Sequence, residues 1–495
     1  MEPFTRRAFL ATAGALGIHA SLPKSLLAFP LPGTDSAAFS AGFFWGASTA
    51  AAQVEGSPTA DGGGENIWDV FLRRPHATKD GSTNVVADDE YHRWPEDLKL
   101  MQQLGFNAYR FSASWARVMP EGKGKINSKG LDYYDRLVDA LLAAKITPFL
   151  TVYHFDYPEA LQKQGGWLHA DSPQWLADYA QVLSARLSDR VSHWITINEP
   201  NILWGFGSEI GMNPPNQKLA DADLVRGAHN ILLGHGRSVQ AIRAASKQNV
   251  EVSLALAGIL SLPSSEKPED LAVAKSASFA VRKIPVIPGF SPMAMLSAAW
   301  WLDPVYLGKY PEDGLKLFPD AVKLANPEDL KTINQPLDYC AVNLYFAPHV
   351  KAGANGAVEV VPDPPEIPRS QYGWASTPDI LYWGPKFLHE RYGRPIVITE
   401  NGWSSADVPA ADGKVHDPKR TAFLNSYLKS LLRASNDGVP VKGYMHWSLL
   451  DNFEWREGTS QRFGLIYVDY KTQRRIVKDS AFRYKEIIAS NGAAL

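Results

Sequence analysis

The chain has 495 residues, 45% of them hydrophobic and 21% charged, which excludes a disordered or fibrous protein and leaves enough apolar material for a large core. A formal net charge of -2, with Lys and Arg scattered along the chain, excludes the basic footprint of a nucleic-acid or anionic-membrane binder and favours an uncharged partner. The 15 Trp and 19 Tyr offer flat apolar faces with polar edges that suit sugar rings as well as cores, and the lone Cys340 excludes an intrachain disulfide.

In chain order, the first feature is Thr5-Arg6-Arg7-Ala8-Phe9-Leu10 ahead of a mildly apolar run over residues 11–20. The run is too short to span a bilayer and the arginine pair stands on its N-terminal side, so residues 1–38 resemble a twin-arginine export signal with a linker. An ordinary helix start with two solvated arginines is the competing reading. Export implies a partner in the export machinery, a periplasmic or extracellular mature protein, and no stable membrane anchor. The cleavage position and the oligomeric state stay open.

From residue 44 onward, eight short β-branched or aromatic runs alternate with segments of helical period. They lie at 44–48, 106–112, 146–154, 194–199, 252–257, 339–345, 396–400 and 443–448. Between them fall amphipathic stretches such as 131–144, where Leu131, Tyr134, Leu137, Val138, Leu141 and Leu142 share one helical face. This alternation predicts an α/β protein, a single (β/α)8 TIM barrel with elaborated βα loops over residues 39–490. The rival is a doubly wound open sheet, which would offer a glycine-rich phosphate turn after its first strand. The GlyGlyGly at 62–64 falls in a predicted loop instead.

Several runs end on a polar or ionisable residue followed by a chain breaker. Glu199 precedes Pro200, Glu400 precedes Asn401-Gly402, and other strand ends bring Arg110, His154, Asn343 and Trp447. In an eight-stranded α/β barrel these ends converge on the C-terminal rim, where the active site of that fold lies. Two glutamates facing each other there can flank one glycosidic bond: one carboxylic acid protonates the leaving oxygen while the other carboxylate attacks the anomeric carbon. A retaining enzyme holds the pair about 5–5.5 Å apart. Taken singly, either glutamate could instead cap a helix or pair with a surface lysine.

At ThrIleAsnGluPro and IleThrGluAsnGly the chain resembles glycoside hydrolase family 1, the β-glucosidase family. Further blocks match in order: PheTrpGlyAlaSerThrAlaAlaAlaGlnValGluGly at 44–56, TyrArgPheSerAlaSerTrp at 109–115, TyrHisPheAspTyrPro at 153–158, TrpSerLeuLeuAspAsnPheGluTrp at 447–455 and ArgPheGlyLeuIleTyrValAspTyr at 462–470.

The resemblance implies Glu199 as general acid/base and Glu400 as nucleophile, with Arg110, Asn343 and Tyr345 supporting them. It also implies a terminal-sugar pocket of Gln53, His154, Asn198, Trp447 and Glu454, lined by Trp455 and Phe463, with Trp374 on the aglycone side. Asn198 is expected to bond the sugar 2-hydroxyl most strongly in the transition state. Glu454 is expected to disfavour a 6-phosphate, and the implied partner is a small-molecule β-glycoside. No metal or organic cofactor is implied: His229 and His235 stand six apart, not at the spacing that would aim both at one ion.

The expected activity is that of an exo-acting retaining β-glucosidase on unphosphorylated glucosides, with galactosides or fucosides as alternatives and with transglycosylation. An endo-β-glucanase and a catalytically idle sugar-binding barrel are the rival functions. Two departures from the family pattern bear on specificity: Phe155 stands where the family has Trp, and Ala375-Ser376-Thr377 replaces an acidic continuation after Trp374. A third, Leu344 between Asn343 and Tyr345, falls on the opposite strand face and is expected to leave the pocket intact. The least similar loops, 209–219 and 350–371, are expected to select the leaving group.

Overall fold

The computed structural model describes residues 37–284 and 292–495, so the export signal read at residues 1–38 lies almost wholly outside the described residues. Eight parallel strands close into a barrel: β1 (Phe44–Ser48), β2 (Ala108–Ser112), β3 (Thr147–Tyr153), β4 (His193–Asn198), β5 (Glu251–Ala257), β6 (Cys340–Asn343), β7 (Ile396–Asn401) and β8 (Val441–Trp447). Each pairs with its neighbour in the chain, and β8 closes on β1 in the register Phe44↔Gly443 to Ser48↔Trp447. The expected eight runs and the barrel are present, with ends shifted by one or two residues at most strands.

The barrel interior is filled near the strand starts by Ala108, Phe149, Ile195, Ala255, Tyr339, Ala341, Val397 and Met445, with Phe44 packed against them. Outside, a continuous apolar shell joins the sheet to its helices, as buried parallel strands require. The helix Ser128–Ala143 shows how sequence makes this layer: Leu131, Tyr134, Leu137, Val138 and Leu141 recur at helical spacing and are buried. Leu142, read as part of that face, is 39% exposed while Tyr133 is fully buried. Tyr133 is covered by a neighbouring helix, its ring 4.7 Å from that of Tyr91, whereas Leu142 in the last turn has no such cover.

Helix ends obey local chemistry. Glu90–Leu104 stops where Gly105 takes φ 79°, and Ile380–Tyr392 stops where Gly393 takes φ 66°, left-handed positions that glycine adopts without a Cβ penalty. The elaborated loops expected at the rim are present. Helices including Pro268–Phe279 and Ala298–Leu307 separate β5 from β6, a hairpin of His349–Ala352 and Val358–Val361 follows β6, and a ribbon of Ile466–Asp469 and Arg474–Val477 follows β8.

A buried ionic network ties that last excursion down. Lys478 Nζ lies 2.7 Å from Asp407 and 2.6 Å from Asp451, Arg462 lies 2.7 Å from Asp451, and Arg420 lies 2.8 Å from Asp407 and also pairs with Asp417. Three acids face three bases, so each charge within this network has an opposite partner.

Candidate active site

The strand ends carry their polar residues to one place, but simple alternation would not have done so. Ile195 and Val397 both point into the barrel interior, and a period of two from them would turn Asn198 and Glu400 outward. Register shifts between Ile195 and Asn198 against β5, and between Ile398 and Glu400 against β6, reverse the phase and aim both side chains inward.

Glu199 follows β4 at φ 43° and ψ 59°, a left-handed backbone that non-glycine residues seldom adopt and that concentrates at functional sites. It occupies the cap position of the short helix Pro200–Trp204 yet makes no side-chain cap hydrogen bond. Its carboxyl is therefore not spent on helix capping. Glu400, for its part, faces a buried arginine and not a surface lysine.

The hydrogen bonds distinguish the two carboxyls. Arg110 Nη1 donates to Glu400 Oε1 at 2.6 Å and Tyr345 donates its phenol to Glu400 Oε2 at 2.8 Å. Glu199 Oε1 receives one amide hydrogen, from Asn343 Nδ2 at 2.8 Å. Asn198 Oδ1 accepts from Arg110 Nη2 at 2.7 Å and from Asn343 Nδ2 at 3.1 Å, which turns its Nδ2 toward His154 Nε2 at 3.0 Å. His154 Nε2 is then an acceptor and Nδ1 carries the proton. Burial holds that imidazole well below its ordinary pKa, with Arg110 adding to the effect, so it is neutral.

Two threonines missed in the sequence complete this layer. Thr399 Oγ1 donates to Asn343 Oδ1 at 2.6 Å, and Thr151 Oγ1 accepts from Arg110 Nε at 3.1 Å. Both lie in the strand runs that carry the site, so a reading of every polar residue on those runs would have found them.

Burial pushes Glu199 up to about 8, and the charge of Glu400 pushes in the same direction, against the Asn343 hydrogen bond and Arg110. Burial also raises Glu400, but there Arg110, Tyr345 and Asn343 all pull back toward the ionised form. One shared negative charge therefore belongs on Glu400, beside the guanidinium, and the proton belongs on Glu199. The arrangement suits a protonated acid beside an ionised nucleophile.

The remaining predicted pocket residues gather around this pair. Gln53 Nε2 donates to the Phe453 carbonyl at 2.9 Å and to Glu454 Oε2 at 3.3 Å. Trp447 and Phe463 are buried in one small cluster with Ala50, and the Trp447 ring lies 6.0 Å from His154 at 25°. Trp455 lies beside His154 and Phe155, at 6.2 and 5.2 Å between ring centres. Gln53 Oε1 and His154 Nδ1 have no protein partner among the described residues, and buried polar groups left unpaired are costly. A ligand rich in hydroxyls would satisfy both.

Three details sharpen the sequence reading. Glu454 was expected as a carboxylate, but burial and the charge of Glu400 push it up to about 8, against a hydrogen bond from Trp447. At neutral pH it can donate as well as accept. Trp374 has four rings within 6.0 Å, Tyr372 and Phe346 being nearly parallel to it at 4.6 and 5.1 Å. The indole is thus held in an aromatic cluster and only half-buried. Leu344 is fully buried in the outer shell, away from the site, as expected for the neighbour of an inward-facing strand residue.

The two histidines weighed as a metal pair lie apart in structural roles. His229 bonds Tyr310 at 2.9 Å and Asp329 at 3.2 Å, whereas His235 bonds Thr196 at 2.7 Å.

Comparison with known proteins is consistent along the chain. Residues 35–493 match the family model described as glycosyl hydrolase family 1. A 1,4-β-D-glucan glucohydrolase of Thermotoga neapolitana is 40% identical over 455 residues, spanning 92% of this chain and 99% of that one. A bifunctional β-D-glucosidase/β-D-fucosidase of Bifidobacterium breve is 37% identical, covering 92% of this chain and 99% of its own. A β-glucosidase from Thermotoga maritima, solved in complex with glucoimidazole, superposes with a TM-score of 0.82 at 39% identity over 92% of this chain and all of that one.

Proposed function

The chain belongs to glycosyl hydrolase family 1, and from that premise we propose that it is an exo-acting retaining β-glucosidase with Glu199 as acid/base and Glu400 as nucleophile. The observation that carries this reading is the unequal treatment of the two buried carboxyls. Glu400 takes a guanidinium and a phenol, and Glu199 takes a single amide. Unphosphorylated β-glucosides are the preferred substrates, with fucosides next, as the relative from Bifidobacterium breve named for both activities supports.

Glu199 delivers its proton to the glycosidic oxygen while Glu400 attacks the anomeric carbon from the opposite face, giving a glycosyl-enzyme ester and a free alcohol. Esterification removes the charge of Glu400, one of the causes of the raised pKa of Glu199, so that pKa falls and Glu199, its proton given up, stays ionised to act as general base in the second step. It then takes a proton from water, or from an acceptor sugar when that outcompetes water, which yields transglycosylation. Asn198, fixed by Arg110, Asn343 and His154, is left one amide hydrogen for the sugar.

The test is the anomer first released from nitrophenyl β-glucoside, followed by NMR. Retention gives the β-anomer first, and an α-anomer as first product overturns the mechanism. Cellobiose assayed against a long β-glucan separates the exo-acting reading from an endo-glucanase.

We also propose export, on the sequence of residues 5–20 alone. Replacing Arg6 and Arg7 together by Lys should retain the enzyme in the cytoplasm on fractionation, and unchanged export removes the reading.

A further inference from the structure

Tyr372 is a residue that no motif assigned. It lies in a tight turn in which Gly373 N–H donates to the Ser370 carbonyl at 2.9 Å and Ser370 N–H donates to the Trp374 carbonyl at 2.9 Å. Its own N–H donates to Ser404 Oγ at 3.1 Å, and the Gln371 N–H to the Ser404 carbonyl at 2.9 Å. Ser404 closely follows β7, the strand that carries Glu400, so the turn is anchored to the rim beside the site.

The side chain is held as firmly as the backbone. Its ring stacks on Trp374 at 4.6 Å and 17°, and lies 6.1 Å from Phe463, which belongs to the Trp447 cluster. The ring is half-buried, yet no protein group among the described residues hydrogen-bonds its phenolic oxygen. This contrasts with Tyr345, whose phenol is committed to Glu400 at 2.8 Å. The acidic groups nearest the free phenol in effect are Glu454 and Glu457, and burial, with those groups adding to it, keeps the phenol protonated. Glu457 is already occupied by Lys79 at 2.5 Å and by Gln461 at 3.2 Å. A rigid hydroxyl donor with no partner therefore stands on the Glu454 side of the pocket.

We infer that Tyr372 is a specificity-determining residue, its hydroxyl hydrogen-bonding the hydroxymethyl group of the bound sugar beside Glu454. The inference rests on the β-glucosidase reading of the site. With the anomeric carbon between Glu199 and Glu400, the remote end of the ring turns toward Gln53 and Glu454. The hydroxymethyl group is the one hydroxyl carried on an extra carbon, so it extends furthest from the ring toward a residue on the rim.

The experiment compares Tyr372→Phe with the unaltered enzyme on nitrophenyl β-glucoside and on nitrophenyl β-xyloside, which lacks the hydroxymethyl group. Phe keeps the stack on Trp374 and removes only the oxygen. The expected result is a loss of about three- to tenfold in kcat/KM on the glucoside, the size of one neutral hydrogen bond, with the xyloside unchanged within about twofold. An equal loss on both substrates assigns Tyr372 to structure alone, and no loss on either removes it from recognition; each overturns the inference while leaving the β-glucosidase reading intact. Absence of glucoside turnover in the unaltered enzyme overturns both together.

Discussion

Arg110 reaches Glu400 with one guanidinium nitrogen, 2.6 Å from Oε1, in a pair whose side chains are 0% and 5% exposed. At that burial the cation is the main reason the carboxylate can stay charged, since isolated charges are expelled from such surroundings. Arg110→Met is therefore expected to raise the acidic limb of the kcat/KM profile by at least about one pH unit and to lower kcat by about a hundredfold or more near neutral pH. Losing one partner of a buried pair costs about 3–5 kcal/mol of stability, so the profile is to be measured below the variant's melting temperature. An acidic limb that stays in place would show that Arg110 does not set the charge of Glu400.

The basic limb belongs to the other carboxyl. Glu199 must be protonated to act as an acid, and its pKa of about 8 places the loss of activity on the alkaline side, as pH rises through that value. Glu199→Gln should abolish that limb. It should also lower kcat/KM by about 10²- to 10⁴-fold for glucosides with poor leaving groups, while dinitrophenyl glucoside, whose leaving group needs no proton, keeps most of its first-step rate. A uniform loss across leaving groups would contradict the assignment.

The barrel was legible because each strand run is short, apolar and bounded by breakers, and the order of the polar strand ends was enough to place both glutamates on one rim. Two aspects were hidden for physical reasons. The inward aim of Asn198 and Glu400 depends on register shifts that no alternating pattern contains, so the expected position rests on a departure from the rule used to find it. The protonation of Glu454 and the crowding of Trp374 depend on neighbours distant in sequence, Glu400 for one and Phe346 for the other. Specificity was the least legible part because it is written on loops and not on strands.

Asn198 offers a different signature. Its amide is shared among Arg110, Asn343 and His154, so it is held rigidly before any substrate arrives. A contact that strengthens only as the transition state develops lowers the barrier without tightening ground-state binding. Asn198→Ala should reduce kcat by about a hundredfold with KM changed less than about threefold. A rise in KM at constant kcat would make it an ordinary binding residue.

Glu90 gives a prediction about stability that is independent of catalysis. It lies fully buried beside Tyr109, which donates to its Oε1 at 2.8 Å, and burial with the charges of Asp97 and Glu55 raises it to about 8. A carboxyl whose folded pKa exceeds its unfolded value binds its proton more tightly in the native state. Its stabilising effect is complete below the unfolded pKa of about 4.3 and is lost as pH rises toward 8. Glu90→Gln keeps the shape and the acceptor for Tyr109 but cannot ionise. The variant should therefore come closest to the unaltered protein in melting temperature near pH 4 and exceed it near pH 8, the gap widening steadily between those values. Glu199 and Glu454 are raised in the same way and contribute the same downward slope in both proteins, so the difference between the two curves isolates Glu90. Parallel melting curves across that range would mean that Glu90 ionises in the folded protein as easily as in water.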